Sequence, residues 1–218
     1  MNWLQQGAKG CLSLLKKGVN RMKKIIFATK NVGKFNEFTK LMEKYDLEVL
    51  SLLDLNYEAE IEENGVTFEE NALIKARTIA EHYNFTVIAD DSGLIVDALN
   101  GAPGVDSAIY AGAHASDDAN MDKVLAALKD VAASKRSAQF ICVLAIVDEN
   151  GKETVVTGQC KGEILFEKRG LEGFGYDPIF YLPELGKTMA ELSKDEKNAL
   201  SHRANAFKKF ELVAGEIL

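Results

Sequence analysis

Short apolar runs rich in β-branched residues alternate along this chain with stretches of helical period, and that alternation restricts it to an α/β architecture. Ile25 to Ala28 is a buried strand of this kind. The loop Thr29-Lys30-Asn31-Val32-Gly33 follows, and from Lys34 onward Phe35, Phe38, Leu41 and Met42 recur at helical spacing. Leu47 to Leu52 reads as the next strand, which gives a β-α-β opening and a parallel strand pair. Thr67 and Glu70 make a capping box that starts a second helix, with Phe68, Ala72, Ala76, Ile79, Ala80 and Tyr83 on one face. Thr86 to Ala89 is another buried strand that runs into Asp90-Asp91-Ser92-Gly93, after which Leu94-Ile95-Val96 resumes the extended pattern.

Beyond the turn cluster Asn100 to Gly104, Ser116 caps a helix reaching about Leu128. Gln139 to Val147 is a long strand, and the Asn150-Gly151 hairpin signal pairs it antiparallel with Glu153 to Thr157. Gly158 and Gly162 punctuate a further strand ending near Leu165. Ser193 and Glu196 form a second capping box, from which a helix or helix pair runs to the C-terminus. The expected fold is α/β: a long mixed β-sheet flanked by helices, in two lobes with a central cleft.

The bulk numbers narrow the function classes. With 218 residues, 47% hydrophobic and 27% charged, the chain has enough material for one large core. A formal net charge of -7 repels DNA and anionic membranes, so an anionic ligand needs a local cationic pocket. No apolar run reaches the length of a membrane span. Cys11, Cys142 and Cys160 are odd in number and lack metal-type or CxxC spacing, which predicts a reduced, cytoplasmic protein without disulfides or a zinc site. Residues 1–21 carry Lys9, Lys16, Lys17 and Arg21 with no acidic residue and no signal-peptide core. They are expected to be a loose extension or the product of an upstream start, leaving 22–218 as the folded domain.

Four segments carry candidate chemistry. Thr29 to Lys34 leaves a strand and enters a helix, so its backbone N–H groups and the helix dipole suit a phosphate, as do Lys30 and Lys34. Asp90 and Asp91 sit at the carboxyl end of a predicted strand, and neighbours in extended chain point to opposite faces. One carboxylate can therefore face a ligand while the other holds the turn. Ionised carboxylates beside a buried strand need a partner, and magnesium is one that qualifies. In Phe174-Gly175-Tyr176-Asp177, glycine beside aromatic rings lets a planar base approach and stack. Lys197, His202 and Arg203 concentrate donors, and a bend near Leu200-Ser201 would bring them together. Lys75 lies off the apolar face of the second helix and is exposed or faces a cleft. Taken singly, each segment also reads as an ordinary turn or a solvated face.

Together the segments resemble one family, the inosine triphosphate or non-canonical purine nucleoside triphosphate pyrophosphatases. The resemblance rests on Thr29 to Lys34, Thr67 to Ala72 with Lys75, Ala89 to Leu94, Gly101 to Val105, Gly173 to Phe180, and Ser201-His202-Arg203, in that order along the chain. It implies a homodimeric hydrolase that cleaves the triphosphates of inosine, deoxyinosine and xanthosine to monophosphate and pyrophosphate with Mg2+. It implies Asp91 as proton acceptor and magnesium ligand, with Glu62 or Glu63 near the metal. Thr29, Lys30, Asn31, Val32, Gly33, Lys34, Lys75 and Lys197 are implied on the triphosphate. Ser92, Phe174, Gly175, Tyr176, Asp177, His202 and Arg203 are implied in substrate and base recognition. The chain departs from the family pattern at Ile109, where an arginine is usual, and at Lys30, where a glycine is common.

The chemistry that follows is charge neutralisation by Lys34, Lys75 and Lys197 and activation of a water by Asp91. Donors such as Arg203 would donate to a 6-keto oxygen and leave the adenine amino group facing other donors. A nucleotide-binding module without turnover would use the same cationic cleft, and pyrophosphate release separates the two readings. A nucleic-acid-binding role is disfavoured by the acidic balance and the lack of a basic stripe.

Overall fold

A computed structural model describes residues 23–217. The expected extension therefore lies outside the described residues. Among these residues the strands form one seven-stranded mixed sheet in the order β2-β1-β3-β4-β5-β6-β7. The strands are β1 (Lys23–Phe27), β2 (Leu47–Ser51), β3 (Val87–Val96), β4 (Ser137–Val147), β5 (Glu153–Ile164), β6 (Phe180–Leu182) and β7 (Lys187–Thr188). β1 runs parallel to β2 and β3, and every pairing from β3 onward is antiparallel. The helices are α1 (Val32–Met42), α2 (Phe68–Tyr83), α3 (Asp117–Ala127), α4 (Lys194–Leu200) and α5 (His202–Ile217). None of the described helices is long and apolar enough to cross a membrane.

The two-residue period of β1 and β3 sorts side chains onto two covered faces. Ile25, Phe27 and Ile88 join Phe38 of α1 and Phe207 and Phe210 of α5. Ile26, Val87 and Ala89 join Ala72, Ala76 and Ile79 of α2 on the other face. Farther along the long strands, Leu94, Val96 and Phe140 pack with Met121 and Val124 of α3 and with Phe180. The helix starts obey local chemistry. Asn31 caps α1, Ser116 caps α3, and full capping boxes open α2 at Thr67 and α4 at Ser193.

The structure corrects two readings of the chain. β3 is continuous from Val87 to Val96, so Asp90 and Asp91 stand mid-strand and not at its carboxyl end. Each pairs in register with β4, Asp90 opposite Leu144 and Asp91 opposite Val143, and the ladder carries the chain through a sequence of low strand propensity. β5 is likewise unbroken through Gly158 and Gly162. Gly158 is required by packing: a Cβ there would collide with the Ala206 backbone, where α5 lies directly on the strand.

Candidate active site

The alternation of β3 gives its two aspartates different surroundings. Val87 and Ala89 face α2, so Asp91 faces α2 as well; Ile88 faces α1 and α5, so Asp90 and Ser92 do too. On the α2 side, Lys75 Nζ lies 3.0 Å from Asp91 Oδ1 and 2.6 Å from Glu63 Oε2. Lys75 is 8% exposed, so it is a buried cation in a cavity wall. The second oxygen of Asp91, Oδ2, is buried and has no hydrogen-bond partner among the described residues. Burial raises the Asp91 carboxyl above the ordinary aspartate range, although Lys75 and Lys34 pull it down.

On the opposite side, Asp90 is fully enclosed. Its Oδ2 accepts from Ser92 Oγ and from Arg203 Nη2 at 3.3 Å, and pairs with Lys34 Nζ at 3.1 Å; its Oδ1 is buried without a partner among the described residues. Burial alone would raise this carboxyl, but Lys34, Arg203 and Lys75 outweigh it and hold the group far below the usual range. Arg203 Nη1 continues the chain of charges to Glu37 Oε2. Glu37 Oε1 pairs with Lys197 Nζ at 2.8 Å, and Lys197 reaches Asp177 Oδ2 at 2.6 Å. Asp177 Oδ2 also accepts the Phe174 N–H at 3.0 Å, and Lys197 Nζ stands 4.7 Å from the Phe174 ring centroid. The lysine thus orders the aromatic loop.

The expected bend is present. Ser201 is extended between α4 and α5, so Lys197 and His202 line the same cavity despite their spacing. His202 stacks on Phe140 with ring centroids 4.8 Å apart. Burial, then Arg203 and Lys197, push its pKa well below the ordinary histidine value, so it is neutral.

Two adjoining cavities share Asn31, Lys34 and Ala108. One, of about 130 Å³, is walled by Ser92, Phe174, Gly175, Tyr176, Asp177, Lys197, His202 and Arg203. The other, of about 480 Å³, is walled by Thr29, Lys30, Glu63, Lys75 and Asp90. Gly33 lets the loop from Thr29 to Lys34 press against the Phe174 ring: a Cβ there would lie 2.9 Å from Cδ1. A larger cavity of about 580 Å³ by β5 and β6, near Gln159, Lys161 and Leu185, contains none of the predicted site residues.

Most of the residues picked from sequence therefore meet around these cavities. Val32 is exposed and lines neither, while Lys30 lines the larger of the two but turns its ammonium onto the carbonyls of Glu58 and Ala59. Glu63, and not Glu62, reaches Lys75. The Arg203 guanidinium donates through Nη1 to Glu37 and through Nη2 to Asp90 and Ser92, while Nε is buried without a partner among the described residues. Glu37 was missed by sequence reasoning; its one signal was a position three residues after Lys34, on the same helical face. Asp117, which accepts the Gly175 N–H at 2.7 Å, was also missed. Ile109 is 53% exposed, away from these contacts.

The residues fit a hard divalent cation. Asp91 presents an unpartnered buried oxygen, and Glu63 meets it across Lys75. Among the described residues no three His, Cys, Asp or Glu side chains converge on one metal position. Such an ion would thus take its remaining ligands from water and substrate oxygens, the habit of magnesium.

The chain belongs to the Ham1 family, whose sequence pattern matches residues 25–212. Among curated relatives, the dITP/XTP pyrophosphatase of Bacillus anthracis is 56% identical over 192 residues, covering 87% of this chain and 95% of that protein. Among solved structures, the Staphylococcus aureus Ham1 protein is 46% identical with a TM-score of 0.80, covering 89% of this chain and 100% of the other. A HAM1 protein from Coxiella burnetii is 44% identical with a TM-score of 0.81 and the same coverage.

Proposed function

We propose that this chain hydrolyses non-canonical purine nucleoside triphosphates (ITP, dITP and XTP) to the monophosphate and pyrophosphate, and so clears them from the nucleotide pool. The observation that carries the reading is the junction of the two cavities at Asn31 and Lys34. One cavity offers rings and neutral or buried polar groups to a base. The other offers lysines and carboxylates to a polyphosphate and its metal. The names of the relatives support the same substrate class.

In this mechanism the N-terminal turn of α1, with Lys34, holds phosphate oxygens. Lys75 neutralises charge beside Asp91, and Asp91 with Glu63 would hold Mg2+. A bound magnesium ion supplies charge neutralisation and polarises the phosphate oxygens. Asp91, its proton affinity raised by burial, orients a water and takes its proton as the water attacks the α-phosphorus. The bond to the bridging oxygen breaks and pyrophosphate leaves. Phe174 lies over the base, Lys197 fixes Phe174 and Asp177, and neutral His202 and the Arg203 region meet the base edge. Residues 22–218 form the pyrophosphatase domain, two lobes flank the cleft, and the enzyme works as a cytoplasmic homodimer.

The test is magnesium-dependent pyrophosphate release across a nucleotide panel. Leaving adenine's amino group unpaired costs about 1–3 kcal/mol, so kcat/KM for ITP and XTP should exceed that for ATP by roughly one to two decades. Equal rates on every purine triphosphate would sink the base assignment, and absence of pyrophosphate release would sink the reaction.

A further inference from the structure

Position 30 is where this chain departs from the glycine common in the family it resembles. The Lys30 side chain does not end on the loop that carries it. Its Nζ donates to the main-chain carbonyls of Glu58 at 3.3 Å and Ala59 at 3.1 Å, and stands 5.8 Å from the Tyr57 ring centroid. These residues begin a stretch, 57–65, that forms no helix or strand and carries Glu58, Glu60, Glu62 and Glu63.

That stretch is tied to α2 at both ends. At its start, the Tyr57 N–H donates to Leu52 O at 2.9 Å and the ring packs edge-on to His82 at 5.5 Å. At its end, Gly65 N donates to Asn71 Oδ1 at 2.8 Å and Val66 N to Glu70 Oε2 at 2.7 Å. Between those anchors two lysines from other elements hold it. Lys75 holds Glu63, and Lys30 holds the carbonyls of residues 58 and 59. Four carboxylates close together repel one another, and a segment without a ladder must have its order imposed from outside. An ammonium on main-chain oxygens does so without engaging any of the carboxylates the site needs.

We infer that Lys30 is a positioning residue: it latches the acidic segment in the place from which Glu63 meets Lys75 and Asp91, and thereby sets the carboxylate pair offered to the metal. The inference rests on the metal-dependent reading above. Its rival is a direct contact from Lys30 to the polyphosphate, since Lys30 lines the same cavity.

Two measurements on the full chain separate these roles, with Lys30→Met, Lys30→Gly and Lys30→Arg. The first is amide hydrogen exchange of 57–66 in ligand-free protein. Loss of one hydrogen-bonded anchor should speed exchange there roughly three- to tenfold in the Met and Gly variants, with Arg near the parent and peptides of α2 unmoved. The second is the Mg2+ dependence of pyrophosphate release from ITP. The Mg2+ concentration for half-maximal rate should rise by a similar factor, and much of the lost rate should return as Mg2+ increases. Unchanged exchange over 57–66 in Lys30→Met overturns the latch, whatever the activity does. A higher KM for ITP at saturating Mg2+ with unchanged exchange assigns Lys30 to phosphate instead. If the parent protein releases no pyrophosphate, the functional reading fails while the exchange result still decides the latch.

Discussion

The two faces of β3 hold the same functional group one residue apart and treat it in opposite ways. On the α1–α5 face, Asp90 accepts from Ser92 and pairs with Lys34 and Arg203, and the charge path runs on through Glu37 and Lys197 to Asp177. On the α2 face, the one cation that Asp91 contacts among the described residues is Lys75, which it shares with Glu63. Desolvation acts on both carboxyls. On Asp90 the surrounding cations win and the group is locked ionised; on Asp91 burial wins and its proton affinity rises. Each carboxylate keeps one oxygen without a partner among the described residues, so the difference lies in the charges around them: the cations on Asp90 hold it ionised and tied between elements, whereas the raised proton affinity of Asp91 lets it take a proton. Asp90 is thus a tie between elements, and the proposed mechanism makes Asp91 the reactive partner.

The largest effect should come from breaking the reactive side. Asp91→Asn removes the proton acceptor and an anionic metal ligand, and kcat should fall by about 10²–10⁴-fold. Lys75 keeps Glu63, so urea unfolding should show a stability change below about 1.5 kcal/mol. Near-normal turnover in this variant would remove Asp91 from the chemistry.

Asp90→Asn should give the reverse pattern. It strands Lys34 and Arg203 beside an uncharged group in a closed site, and removing one member of a buried ion pair costs roughly 3–5 kcal/mol. The low Asp90 pKa makes its stabilisation complete above the unfolded aspartate value of 3.8, and it is lost as pH falls through the folded value. The same urea titration checks this at neutral pH. A loss under about 1 kcal/mol would show that the network contributes little to the fold.

Much of this contrast was legible in the sequence because it depends on local rules. Alternation in extended chain separates Asp90 from Asp91, capping boxes place the starts of α2 and α4, and Ser201 permits the break that aligns Lys197 with His202. The illegible parts depend on groups far apart in the chain. Glu37 resembles a solvated helix charge until Arg203, 166 residues later, folds against it. Lys75 appears polar and peripheral because its partner strand is not visible in helical spacing. Gly158 reads as a strand stop because its reason is the α5 backbone. Asp90-Asp91-Ser92-Gly93 reads as a turn because its strand propensity is poor, and only the β4 ladder and the cations keep it extended.

The smallest predicted effect sharpens the locked side of the comparison from its neutral member. His202 sits beside Arg203 in the same buried site, and burial and the two nearby cations push its pKa well below the unfolded value of 6.5. The fold therefore excludes a proton that the unfolded chain accepts. That contribution is fully present above pH 6.5 and is lost as pH falls below it, until the folded pKa is reached. From pH 7.5 to 5.5 this amounts to about 1.4 kcal/mol for one such group. Asp91 and Asp177 have raised values and act in the opposite sense, so the quantity to measure is the difference between the parent and His202→Gln. Their urea-unfolding free energies should converge by about that amount over this pH range. A constant gap between the two proteins would mean that His202 takes up its proton in the folded state, and that the Asp90 network tolerates a fourth cation at its edge.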